Sequence, residues 1–272
     1  MSVSSLVDGD LLVWADGPVL TVTINRPSMR NAICARTWRA LRATFSQAAK
    51  RQDIRVVILR GAGAHFSSGA DINELLQIVR SDRATGDDYE AREYWRLVYA
   101  ANSAIEACPQ PVIAMVAGFA FGAALALAMA CDLRIAAAHS RWGVPAPQIG
   151  LTLGASDTRR LVLSVGAARA AEILITGRRF TAERAAAMGL VTDVVDADEL
   201  ETSTYKLAAE LAHKCAPLAI REAKANIAAI ARGSGLSCSE EPSTPIAWAG
   251  SADLEEGISA FLEGRDPFFQ GH

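Results

Sequence analysis

GFAFGAALALAMACDLRIA, residues 118–136, is the stretch on which the fold turns. Fourteen of its first fifteen residues, up to Asp132, are apolar or glycine, and no acid or base stands among them. Preceded by PVIAMVAG (111–118), it reads as a buried strand, a glycine break at Gly118, a buried helix over 122–131 and a second strand, LRIAA. Val112 to Cys131 is twenty uncharged residues, long enough for a membrane span. Its composition is Ala and Gly rather than Leu and Phe, and no Lys/Arg cluster flanks it, so a strand followed by a helix is expected and no membrane span.

The alternation continues outward. VLTVTIN (19–25) reads as a strand ended by Asn25-Arg26-Pro27, because proline cannot extend a central ladder. A helix is expected from Ile33 to Arg51, a strand at 56–61, an amphipathic helix from Ile72, a polar break at 81–88 and a helix from Tyr89 to Cys108. Beyond the opening stretch come a loop through GVPAPQIGL (143–151) and helices at 157–165 and 167–176. Strand and helix signals alternating in this way give an α/β fold. From Asp198 the signal is helical, with two helices joined at Ala216-Pro217 and a flexible GSGLSCSEEPSTP at 233–245. The chain thus divides into a strand-containing core, 1–197, and a helical region, 198–272.

At 272 residues, half of them apolar, the chain has enough material for a substantial core. A net charge of −3 with both signs scattered leaves no basic stripe, so no nucleic-acid partner is expected. Cys34, Cys108, Cys131, Cys215 and Cys238 lie far apart without a CxxC pair, which suits reduced thiols in the cytoplasm. The opening MSVSSLVDGDLLVW has no basic segment followed by an apolar run, so no signal peptide is expected. The four histidines show no metal-ligand spacing, and no metal site is expected.

Two places share one device. HFSSGAD (65–71) and GFAFGAA (118–124) each follow a strand and place small residues where a helix begins. Peptide N–H groups at such a start are unpaired and favour negative charge, and small side chains leave them uncovered. Either place alone is consistent with tight packing; as a pair after successive strands they suggest two donors converging on one oxygen.

At these residues the sequence resembles the crotonase superfamily, the enoyl-CoA hydratases and isomerases. The matching segments are INRPSMRNAI (24–33), HFSSGADINEL (65–75), PQPVIAMVAGFAFGAALALAMACDLRIA (109–136), WGVPAPQIGL (142–151), ILITGRRFTAERAAAMGLVTDVV (173–195) and SADLEEGISAFLEGRDPFFQG (251–271). The resemblance implies a spiral of ββα units with a helical C-terminal trimerisation region, hence a homotrimer or dimer of trimers. It implies an acyl-CoA ligand, with CoA as part of the substrate and no separate cofactor. Two backbone amides holding the thioester oxygen would fall at Ala70 and Ala123. CoA contacts would fall at Arg30, Ala32, Ser68, Ile72 and Phe261. Arg30 is equally readable as an exposed arginine without such a task, and a lysine frequent in the family is here Gly264.

The acids are missing. The pair of glutamates that usually hydrates an enoyl-CoA would fall three residues after Ala123 and just after Pro145; these positions are Ala126 and Ala146. Asp157 is a candidate relocated acid or base; the alternative is that Ser156 or Asp157 caps a helix beginning at Thr158. Asp71 and Glu74 are expected to serve the start of their helix rather than chemistry. Two readings therefore stay open: a non-catalytic acyl-CoA-binding protein, and a lyase, isomerase, decarboxylase or hydrolase with a displaced acid or base.

Overall fold

A computed structural model describes residues 9–233 and 248–272. Strands β1 (Leu11–Asp16) and β2 (Val19–Ile24) form a hairpin; every residue of β2 is buried. Pro27–Met29 makes a 3₁₀ turn before helix α1 (Ala35–Ala48). Strand β3 (Val56–Gly61), helices α2 (Ile72–Thr85) and α3 (Tyr89–Glu106), and strand β4 (Val112–Val116) follow. The polar break expected at 81–88 is shorter than its composition suggested: α2 continues to Thr85 and stops at Gly86, which takes φ 72°.

The opening stretch resolves into strand β5 (Phe119–Phe121), helix α4 (Ala123–Ala130) and strand β6 (Leu133–Ala137). All eight residues of α4 are buried, so its lack of a polar face has a plain cause. Strand β7 (Arg141–Gly143) precedes a 3₁₀ turn at Ala146–Ile149. Helices α5 (Ala155–Val165) and α6 (Ala167–Thr176), strand β8 (Arg179–Thr181), helix α7 (Ala182–Ala187) and strand β9 (Asp193–Val195) complete this part. Helices α8 (Leu200–Lys214), α9 (Pro217–Arg232) and α10 (Ala252–Glu263) follow. The 233–245 segment lies, apart from Gly233, outside the described residues, as does Cys238.

Two sheets carry the fold. The larger runs β1-β2-β3-β4-β6-β9, with β1 antiparallel to β2 and the remaining pairs parallel; the smaller runs β5-β7-β8. One face of the larger sheet packs in the main core with α1, α3 and α4. Its other face, through Val56, Ile58, Ile113, Met115 and Ile135, meets Leu200, Ala208 and Ala212 of α8. The change to helical chain at residue 198 is therefore a change of structure type within one packed body, since α8 closes the sheet. Lys224 of α9 adds a polar tie, pairing with the half-buried Asp132 at 2.6 Å. Among the described residues no helix is long and apolar enough to cross a membrane, and Cys34, Cys108, Cys131 and Cys215 are unpaired.

Candidate functional site

Three loops at the ends of parallel strands are stitched together by backbone. Asn31, fully buried, accepts from Arg26 N and donates to Ala62 O and His65 O, which fixes its own φ at 56° beside Arg30 at 52°. Ser67 donates its hydroxyl to Asn31 O and its N–H to Phe119 O, and bridges in parallel to Ala120. Ile33 N donates to Gly69 O, and Asp71 N to Ile33 O. This parallel bridge turns the N–H of the intervening Ala70 away from Ile33. Gly69 takes φ 100°, and a Cβ there would lie 2.5 Å from Phe121 O and 3.4 Å from Ala123 N. The 67–70 backbone is thus pressed against the start of α4, an approach open only to glycine.

Ala123 is the first residue of α4, after Gly122 at φ 55° and ψ −119°. Its N–H, like that of Ala70, donates no hydrogen bond to any described residue. Both alanines line one cavity of about 370 Å³. Its apolar wall is Leu75, Trp95, Phe119, Phe121, Ala146, Leu151 and Leu153; its polar groups come from Arg30, Ser68, Gln148, Thr152 and Arg179. Among the described residues the lining contains no carboxylate, imidazole, thiol, amine or phenol. A neighbouring groove of about 360 Å³ shares Arg30, Ser68, Ala70 and Ile72 with it and adds Ala32 and Asp71.

Arg30, Ala32, Ser68, Ile72, Ala70 and Ala123 are therefore brought together. Phe261 is not: it stands 85% exposed on α10 and lines a separate groove with Ile258, Leu262 and Phe269. Ala146 opens the 3₁₀ turn in the cavity wall, whereas Ala126, one turn after Ala123, is buried in the core behind it. Asp71 caps α2 by accepting from Asn73 N and Glu74 N and pairs with Arg26 at 3.0 Å, while Glu74 accepts from Ala35 N.

Asp157 differs from expectation in one respect. Helix α5 begins at Ala155 with Gly154 as N-cap and no side-chain cap, so neither Ser156 nor Asp157 caps a helix starting at Thr158. Asp157 lies inside the first turn, buried and outside the cavity lining. It accepts from Asn102 Nδ2 at 3.0 Å and pairs with Arg160 at 2.7 Å; Arg160 also reaches Glu106. Burial pushes its carboxyl above the usual range against the pull of Arg160 and Asn102. Gly154, the residue before α5, lies against the Tyr99 ring, so a side chain there would require the tyrosine to move.

Sequence reasoning missed the aromatic wall and Arg179, although it singled out Arg30. Phe119 and Phe121 stack with centroids 5.0 Å apart; the Arg30 guanidinium lies 6.0 Å from the first ring centroid and that of Arg179 lies 5.1 Å from the second. The i, i+2 spacing of the phenylalanines was a strand signal inside the quoted stretch. His65 stacks on Phe119 at 4.1 Å with Nδ1 buried and unpartnered among the described residues, and burial followed by Arg30 and His139 lowers its pKa.

Comparison with known proteins agrees with this architecture. A family model described as Enoyl-CoA hydratase/isomerase matches residues 15–272. A 2,3-dehydroadipyl-CoA hydratase of Escherichia coli (strain K12) is 34% identical over 265 residues, covering 96% of this chain and 99% of that protein. The crystal structure of an enoyl-CoA hydratase/carnithine racemase from Magnetospirillum magneticum matches with a TM-score of 0.89 at 34% identity, covering 97% of this chain and 96% of the other. An enoyl-CoA hydratase from Bacillus anthracis gives 0.86 at 31%, covering 97% and 100%. With a family match over nearly the whole length and a shared fold, the chain belongs to the enoyl-CoA hydratase/isomerase family of the crotonase superfamily.

Proposed function

We propose that the protein binds an acyl-CoA thioester, with the nucleotide along the outer groove and the acyl group in the cavity, and that the amides of Ala70 and Ala123 polarise the thioester carbonyl. The observation that carries this reading is two unpaired N–H groups on adjoining backbone in the wall of one cavity. Donors fixed in advance gain strength as charge develops on the oxygen and need no reorganisation. Arg30, Ala32, Ser68 and Ile72, gathered at the mouth, are assigned to CoA.

Ordinary hydration is not its chemistry on this reading. Addition of water to an enoyl thioester requires one group to take a proton from water and one to deliver a proton to the α-carbon. Ala126 and Ala146 supply neither, and among the described residues no side chain lining the cavity replaces them. A second reading rests on the raised pKa of the buried Asp157: a relocated acid or base, acting in isomerisation, decarboxylation or hydrolysis. It requires Asp157 to leave Arg160 and reach the cavity.

The assembly assigned is a trimer or dimer of trimers. Ile227, Ile230, Ile258, Phe261, Leu262 and Phe268 are exposed on or beside the C-terminal helices, an apolar display suited to burial between copies. That assembly also gives Phe261 a route to a neighbour's CoA. The unpaired thiols support a cytoplasmic setting. Calorimetry with crotonyl-CoA, octanoyl-CoA and the corresponding free acids tests the ligand class: thioesters bind and free acids do not, whereas equal affinity overturns the reading. Light scattering at micromolar concentration reports the assembly, and a monomer contradicts it.

A further inference from the structure

Among the described residues the cavity is lined by two arginines and no acid, and one of the two belongs also to the outer groove. Arg30 lines both the cavity and the groove; Arg179 lines the cavity alone. The Arg179 side chain makes no ion pair or hydrogen bond to a described residue and rests over the Phe121 ring, although the chain as a whole carries a net charge of −3. Its place is set by backbone. Arg179 opposes Gly143 in the β7–β8 pair, and a Cβ on Gly143 would come 2.6 Å from Arg178 O and 3.2 Å from Arg179 Cα. This bare glycine lets β8 close on the cavity wall three residues before Ala146. The guanidinium then lies over Phe121, two residues before the Ala123 amide. Arg179 is thus attached to the wall beside the amide pair, and Arg30 to the mouth.

A guanidinium is always charged and offers a planar fork matched to a carboxylate. Arg179 is exposed enough to stay hydrated when the cavity is empty, which lowers the cost of leaving it unpaired. With CoA assigned to the mouth, the anion left for Arg179 belongs to the acyl portion. We propose that Arg179 is a specificity-determining residue that reads a carboxylate on the acyl group, making the preferred ligands CoA thioesters of dicarboxylic acids. This inference rests on the acyl-CoA reading above.

Calorimetry with matched pairs tests it: succinyl- against butanoyl-CoA, glutaryl- against pentanoyl-CoA and adipyl- against hexanoyl-CoA, with free CoA as reference. A charge-assisted bidentate contact predicts that at one or more lengths the wild type prefers the carboxylated thioester by about tenfold. Arg179→Gln erases that preference and leaves the uncharged thioesters and CoA unchanged; Arg179→Lys, which keeps charge without the fork, retains part of it. A wild type without preference at every length overturns the proposal. So does Arg179→Gln weakening free CoA and all thioesters alike, which makes Arg179 a phosphate contact. If no thioester binds better than its free acid, the acyl-CoA reading itself falls, a result distinct from either.

Discussion

The two halves of the cavity are built on opposite principles. Around Ala70 and Ala123 the backbone is tightly specified: Asn31, Ser67 and Gly69 tie three loops together and leave two amides unpaired. Around Ala126 and Ala146, where proton-moving side chains are expected, there are methyl groups, and the candidate relocated acid, Asp157, is held by Arg160 and Asn102 outside the lining. Polarisation depends on main-chain geometry, which glycine and alanine protect. Proton transfer depends on side chains, which a single substitution removes. A site of this fold therefore loses the second capability without disturbing the first.

The largest effect expected from this contrast is on crotonyl-CoA hydration. Acid–base groups contribute ~10²–10⁴-fold each, so wild-type hydration falls about four or more orders of magnitude below that of a hydratase holding both. Steady-state kinetics with product identification checks it, and ordinary hydratase rates would erase the difference between the halves. Ala146→Glu combined with Ala126→Glu sharpens the comparison by raising hydration from that floor; the buried Ala126 site must first make room, so rates are normalised to folded protein.

Removing one amide attacks the other half. Ala123→Pro deletes the N–H at the first helical position, where proline is tolerated. Any thioester that the protein does turn over should then react about 10²–10³-fold more slowly, while Ala123→Gly, which retains the amide, does not share that loss. Equal rates in the two variants would break the assignment of Ala123.

Gly69→Ala introduces strain at φ 100° and a contact of 2.5 Å with Phe121 O, and should destabilise by about 1–3 kcal/mol in urea unfolding. Gly86→Ala, at φ 72° with nothing within 4 Å of the new Cβ, should cost less. The difference between them isolates the pressure that holds the two loops together.

The smallest effect concerns Asp157. Its folded-state pKa lies above the unfolded value, so the protonated form is favoured on folding, and this contribution is lost as pH rises from the ordinary aspartate range through the raised pKa. Asp157→Asn removes that dependence. Its stability relative to wild type should improve as pH rises across this window, as read by thermal unfolding at each pH, while turnover per folded molecule stays unchanged. A sharp fall in turnover would instead favour the relocated-acid reading.

Much of this contrast was legible in the chain. β2, β3, α1, α3 and α4 announced themselves by period or by unbroken burial, and the amide positions by their bareness. The strands β5, β7 and β8 are three residues each, too short to display a period, so the smaller sheet that carries Phe121 and Arg179 was not anticipated. The start of α5, at Ala155, lies two residues before the expected 157 and three before Thr158, because no side chain caps the helix and so no local signal marks its first turn. Asp157 and Asn102 are likewise 55 residues apart, and nothing local couples them.

The central claim is that the cavity polarises a thioester it does not hydrate. Isotope-edited infrared spectroscopy of crotonyl-CoA labelled with carbon-13 at the thioester carbonyl, bound to excess protein, observes both parts at once. The account predicts a carbonyl band shifted to lower frequency on binding, with the shift diminished in Ala123→Pro, and an enoyl double bond that persists. A band unshifted from that in water, or rapid conversion to the 3-hydroxyacyl thioester, would contradict it.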